Sequence, residues 1–144
     1  MPLETELAFL EAYLEIMKAR FEERLTVEVA VGAGVRAALV PHLILQPIVE
    51  NSMKHCMDDP TRAGRVRIAA ARDGARLRIS VEDDGPGLAG TVEPGQGIGL
   101  TNTAERLRHL YGEQQRLTIA NGTPGGVRVD LELPYRVVSG PEAA

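Results

Sequence analysis

The sequence predicts an α/β (α+β) chain built as a two-layer sandwich, a mixed or antiparallel sheet covered on one face by helices. Apolar residues recur at spacings of three and four in the opening stretch and again in two later segments, as amphipathic helices require. Other segments alternate apolar and polar residues, as half-buried strands do. The two patterns follow in the order helix, strand, helix, two strands, helix, two strands, which stacks helices against one sheet rather than dividing the chain into domains.

Each element can be justified in turn. In LETELAFLEAYLEIMKARF, the residues Leu3, Leu7, Leu10, Leu14, Met17 and Phe21 form one apolar seam of a helix about five turns long, with Glu4, Glu6, Glu11 and Glu15 mostly elsewhere. That seam fits packing on the chain's own domain and fits a partner helix equally. LTVEVAV (Leu25–Val31) alternates like a strand, and GAG follows as a turn. After Pro41, LILQPIVENSMKHCM reads as a helix, with Pro47 tolerated near its start or as a kink. GRVRIAAARDGARLRISVEDD reads as a hairpin: Val66, Ile68 and Ala70 share a face, Asp73–Gly74 turn the chain, and Leu77, Ile79 and Val81 return to the core. Residues Leu88–Gln96 carry Gly and Pro without a pattern and read as a loop. A helix over Gly99–Tyr111 carries Leu100, Ala104, Leu107 and Tyr111 on one stripe. RLTIA and VRVDLEL are the last strands, joined by a turn over Gly122–Gly126, and the tail after Pro134 is expected to fray.

Composition bounds the function. A chain of 144 residues is one domain with a sizeable core. Its net charge of -4 leaves no electrostatic footprint for nucleic acid. Cys56 stands alone, which excludes an internal disulfide, and no Cys/His cluster suggests zinc. No apolar run reaches the roughly 20 residues of a membrane span, and nothing at the N-terminus reads as a signal peptide. A soluble domain of a reducing compartment is expected.

Three short segments carry the chemistry. In QPIVENSMKH, Asn51, Lys54 and His55 stand at i, i+3 and i+4, so a helix presents them together. An Asn carbonyl suits Mg²⁺, and Lys54 and His55 could meet phosphate charge, although the same residues also fit a plain polar helix face. In DDGPG, Asp83 ends a strand beside a glycine turn, where a carboxylate can accept a hydrogen bond from the exocyclic amine of adenine. An ordinary Asp-Gly turn is the other reading. GQGIGLTN places Gly95, Gly97 and Gly99 before a helix, so backbone N–H groups and the positive helix end make an anion site. A loop rather than a strand precedes these glycines, which excludes a dinucleotide-binding fingerprint, and no GxxxxGK[ST] exists for a P-loop.

Together and in this order, the segments resemble the N box and the two glycine boxes of the ATP-binding fold shared by histidine kinases, gyrase, Hsp90 and MutL. The match is closest to sensor histidine kinases of the LytS type, in which stretches like LETELAFLEAYLEIMKARF, LILQPIVENSMKH and GIGLTNTAERLRHLYG follow one another. It covers Leu3 to about Pro134. The resemblance implies a Bergerat-type fold and a protein-histidine kinase catalytic domain using ATP and Mg²⁺. It implies that Asn51 ligates Mg²⁺, that Glu50 is catalytic with Asn51 and lies with His55 close to the metal or phosphates, and that Lys54 contacts phosphate. Asp83 would bind the adenine amine, with Gly85 and Gly87 shaping the pocket. Gly97, Ile98, Gly99 and Leu100 would wrap the phosphates, helped by Asn102, and Leu88–Gln96 would be the lid. Val127 stands where the family usually has Thr, with Thr123 near but out of register.

The implied organisation is residues 1–24 as a helix continuing from a dimerisation and phosphoacceptor region, 25–137 as the ATP-binding domain, and 138–144 as a disordered tail. The family's phosphoacceptor histidine lies upstream in a His-Phe and Phe-Asn run that nothing here matches. His42, His55 and His109 are accounted for by other elements. This chain is therefore expected to be a fragment that binds ATP or ADP without autophosphorylating. Its parent would be a homodimeric, membrane-bound sensor kinase, with this portion in the cytoplasm and a response regulator as partner.

The rivals are an anti-sigma factor acting as a serine kinase on the same fold, a gyrase-like hydrolase and a degenerate domain. The gyrase-like enzymes of this resemblance carry a water-activating Glu four residues before the metal-binding Asn, where Pro47 stands here, and Glu50 points about 100° around the helix from Asn51.

Overall fold

The computed structural model describes residues 1–21, 24–32, 34–57, 63–85, 98–122 and 125–137, with only the backbone described for His55, Ile98 and Gly99. Among the described residues three α-helices, α1 (Leu3–Arg20), α2 (Leu45–Met57) and α3 (Ile98–Tyr111), accompany five strands, β1 (Leu25–Val31), β2 (Gly64–Asp73), β3 (Arg76–Asp83), β4 (Arg116–Asn121) and β5 (Val127–Pro134). The strands form one sheet in the order β1-β2-β3-β5-β4. Only β1 and β2 run parallel, with α2 as their crossover, and the other pairs are antiparallel, so the expected sheet is a mixed one.

Alternation in the strands sorts the two faces. Val66, Ile68, Leu77, Ile79, Val81, Val129, Leu131 and Leu133 are buried, and α2 packs over β2, β3 and β5. The opposite face carries an ion-pair network in which Arg128 bridges Glu82 and Asp130 while Arg78 bridges Asp73 and Glu132. Such exposed pairs contribute at most about 1 kcal/mol each, so this face is a solvated one. No helix among the described residues is long and apolar enough to cross a membrane.

The seam of α1 lies in the chain's own core: Leu3, Leu7, Leu10 and Leu14 are buried with the sheet's apolar face. Glu4 and Glu6 in its first turn and Lys18 and Arg20 in its last complement the helix dipole. Backbone bonds then tie its start to the segment before α2, from Leu3 N to Ala38 O at 2.7 Å and from Val40 N to Met1 O at 2.8 Å. One expectation fails here. Glu6 does not lie outside the seam; it is 1% exposed and stands within it.

The start of α2 also differs from expectation. The helix begins at Leu45, because Leu43 adopts a left-handed backbone (φ 54°) that no α-helix can contain. Pro47 falls in the first turn, where a missing N–H is harmless. Ser52 is 1% exposed on this helix, and its Oγ has no hydrogen-bond partner among the described residues. Replacing it by Ala removes an unsatisfied buried hydroxyl and adds helix propensity, so Ser52→Ala is expected to stabilise the domain by about 1 kcal/mol in urea unfolding.

Beyond β5 the chain does not fray at once. Tyr135 N donates to Ala75 O at 2.8 Å, Leu39 N donates to Arg136 O at 2.7 Å, and the Tyr135 hydroxyl donates to Gly34 O at 2.7 Å. The guanidinium of Arg72 lies 4.0 Å from the centroid of the Tyr135 ring. The expected tail, residues 138–144, lies outside the described residues.

Candidate functional site

The site is built around α2. This helix has no acidic residue in its own first turn, so its leading N–H groups need an acceptor from elsewhere. Glu6 of α1 supplies it: Oε1 accepts from Leu45 N at 3.0 Å and Oε2 from Leu43 N at 2.9 Å. A cap delivered from another helix fixes α2, and the residues it presents, relative to α1.

Further along α2, Glu50 and Lys54 face α1 across a groove of about 560 Å³, opposite Tyr13 and Arg20. Glu50 accepts from Gln46 Nε2 at 3.3 Å and is hydrogen-bonded to the Tyr13 hydroxyl. Burial and, after it, the adjacent Glu50 carboxylate push the Tyr13 hydroxyl above its ordinary pKa, so it remains a proton donor. Asn51, one residue on, is half-buried. His55 lies on the same helix, but its side chain is outside the description.

At the end of β3, Asp83 is 4% exposed. Its Oδ1 accepts from Gly85 N at 2.9 Å and from Val127 N at 3.3 Å, and Oδ2 is buried as well. Two backbone donors on one oxygen orient the carboxylate. The approach of β5 that brings Val127 N within reach depends on Gly126, where a side chain would overlap the Asp83 carbonyl oxygen. Asp84 continues the strand edge, with Oδ1 accepting from Arg65 N at 2.9 Å.

The third segment opens α3. Leu100 is 1% exposed and anchors the helix start, whereas Asn102 is exposed. The first turn of α3 carries no acidic residue, so no side chain of that turn offsets its positive end. Gly87, Gly97 and the expected lid, Leu88–Gln96, lie outside the described residues. α2 packs on both β3 and α3, so these three elements are neighbours in the fold.

Among the described residues no group of His, Cys, Asp and Glu could hold a metal ion. A lone Asn51 amide on a half-buried helix face instead fits Mg²⁺, which takes one or two protein ligands and completes its shell with phosphate oxygens and water. Sequence reasoning missed Glu6, Tyr13 and Gly126. For Glu6 a signal existed: it falls between Leu3 and Leu10 on the apolar seam, where an unpaired carboxylate is unexpected.

Comparisons with known proteins identify the family. Residues 34–137 match the family described as histidine kinase-, DNA gyrase B-, and HSP90-like ATPase. Sensor histidine kinase BtsS of Escherichia coli (strain K12) is 37% identical over 134 residues, covering 93% of this chain and 24% of that protein. Sensor protein LytS of Oceanobacillus iheyensis is 34% identical over 149 residues, covering 94% of this chain and 25% of that protein. The chain thus spans about a quarter of the length of these curated relatives. Among solved structures, the catalytic domain of histidine kinase ThkA superposes with a TM-score of 0.76 at 14% identity, covering 96% of this chain and 97% of that one. ThkA has also been solved in complex with the response regulator protein TrrA, a structure that superposes with a TM-score of 0.73 at 15% identity, covering 94% of this chain and 41% of that one. The chain belongs to the family of histidine kinase-, DNA gyrase B- and HSP90-like ATPases.

Proposed function

We propose that this chain is the ATP-binding catalytic domain of a two-component sensor histidine kinase, presenting Mg·ATP to a histidine that lies outside it. The observation that carries the reading is Asp83, a buried carboxylate fixed at a strand end by two backbone N–H groups. Such a group accepts the adenine amine and disfavours a keto base in the same position. Asn51 would hold Mg²⁺, which offsets part of the phosphate charge when bound. Lys54 and His55 would face the phosphates from the same helix. Gly97, Ile98, Gly99 and Leu100 would bring backbone donors to the phosphates at the positive end of α3, with Asn102 beside them.

The protein's work in phosphoryl transfer is positioning and charge neutralisation. Transfer is favoured over hydrolysis because Pro47 occupies the place of a water-activating base, and Glu50 is engaged by Gln46 and Tyr13. In the intact kinase, as the sequence resemblance implies, dimerising helices would precede α1 and a response regulator would receive the phosphoryl group.

Nucleotide titration tests the reading. Wild type is expected to prefer ATP over GTP, and Asp83→Asn to weaken ATP binding by about tenfold or more, as expected for loss of a charge-assisted hydrogen bond. Equal ATP affinity of the two proteins would remove Asp83 from the adenine site.

A further inference from the structure

The groove between α1 and α2 contains a cation that the nucleotide reading leaves unused. Arg20 stands in the last turn of α1, where the helix's negative end favours positive charge, and it lines the groove opposite Lys54. Among the described residues neither Arg20 nor Lys54 forms an ion pair. The groove's carboxylate, Glu50, is instead drawn to Gln46 and the Tyr13 hydroxyl. Its rim is therefore rich in donors, above a floor that includes Met17, Met53 and Met57.

Lys54 lies one helical turn beyond Asn51, about 4.5 Å along the axis. Asn51 does not itself line the groove, so a triphosphate whose metal is held at Asn51 would meet the groove at Lys54. Mg²⁺ offsets only part of the triphosphate charge, Asn51 is neutral, and Lys54 contributes a single point charge. A planar guanidinium lining the same groove supplies what is missing, two parallel N–H donors for the oxygens of a terminal phosphate.

We infer that Arg20 is a terminal-phosphate ligand, reaching the γ-phosphate from α1 opposite Lys54. The inference rests on the ATP-binding reading above. It makes α1 part of the nucleotide site as well as part of the core.

Titration of the whole chain with Mg·ATP and Mg·ADP tests it, with thermal unfolding as the check on folding. Arg20→Ala is expected to weaken ATP binding by about tenfold and ADP binding by less than about twofold, because ADP lacks the phosphate concerned. Arg20→Lys, which keeps the charge and loses the fork, should fall between Arg20→Ala and wild type for ATP. If wild type binds both nucleotides and Arg20→Ala weakens them equally or not at all, Arg20 does not meet the γ-phosphate. If wild type binds neither nucleotide, the ATP-binding reading fails first and the role of Arg20 fails with it.

Discussion

Gly126→Ala is expected to lower the stability of the domain by about 3 kcal/mol or more, combining the cost of a left-handed backbone with overpacking between strands. At Gly126 φ is +82°, and an added Cβ would overlap the Asp83 carbonyl oxygen and lie 2.6 Å from its carbonyl carbon. Both obstacles are backbone, so relief requires β3 and β5 to part. Parting them carries the Asp83 carboxylate away from Val127 N, and nucleotide affinity should fall with stability. Gly34→Ala is the control. It has nearly the same φ, +83°, with nothing within 4 Å of an added Cβ, so it should cost only about 1 kcal/mol. Urea unfolding of both variants measures the difference, and equal midpoints would show that the approach to Asp83 is not what requires glycine.

Glu6→Ala is expected to cost about 2–4 kcal/mol, because the buried N–H of Leu45 at the start of α2 and the part-buried N–H of Leu43 just before it lose their acceptor. Glu4 occupies the same turn of α1 but is exposed, and Glu4→Ala should cost no more than about 0.5 kcal/mol. The comparison separates capping from general helix charge. A Glu6→Ala loss as small as that of Glu4→Ala would remove Glu6 as the cap of α2. Glu6→Gln should lie between wild type and Ala, since an amide offers one acceptor oxygen where the carboxylate offers two.

These two residues mark where sequence reasoning reached its limit. Strand alternation was readable because each strand buries one face, so Val66, Ile68, Leu77 and Ile79 announce both the strands and their orientation. The hairpin turn was placed within one residue, β2 ending at Asp73 and β3 starting at Arg76. The start of α2 was misjudged because its cap comes from Glu6, and helix-start signals are local by nature. Asp83 was legible as a polar residue ending an apolar strand, but the donors that orient it were not. Val127 N comes from a strand 44 residues later, and a main-chain donor leaves no mark on the side-chain pattern. The seam of α1 left two partners open because a heptad-like stripe does not say what covers it; the chain's own core does.

The bond between Glu6 and Leu45 joins residues 39 positions apart, and the same separation divides Leu25 from its parallel partner Gly64. The hairpin of β2 and β3, by contrast, closes over a two-residue turn. Local pairs form before distant ones because closing a long loop costs entropy before any contact rewards it. The antiparallel hairpin is thus the natural early folding unit, and α2 gains its cap only when α1 and β1 arrive. The cap of α2 therefore depends on closing a loop as long as the one that pairs β1 with β2, and it is lost when the N-terminal helix leaves.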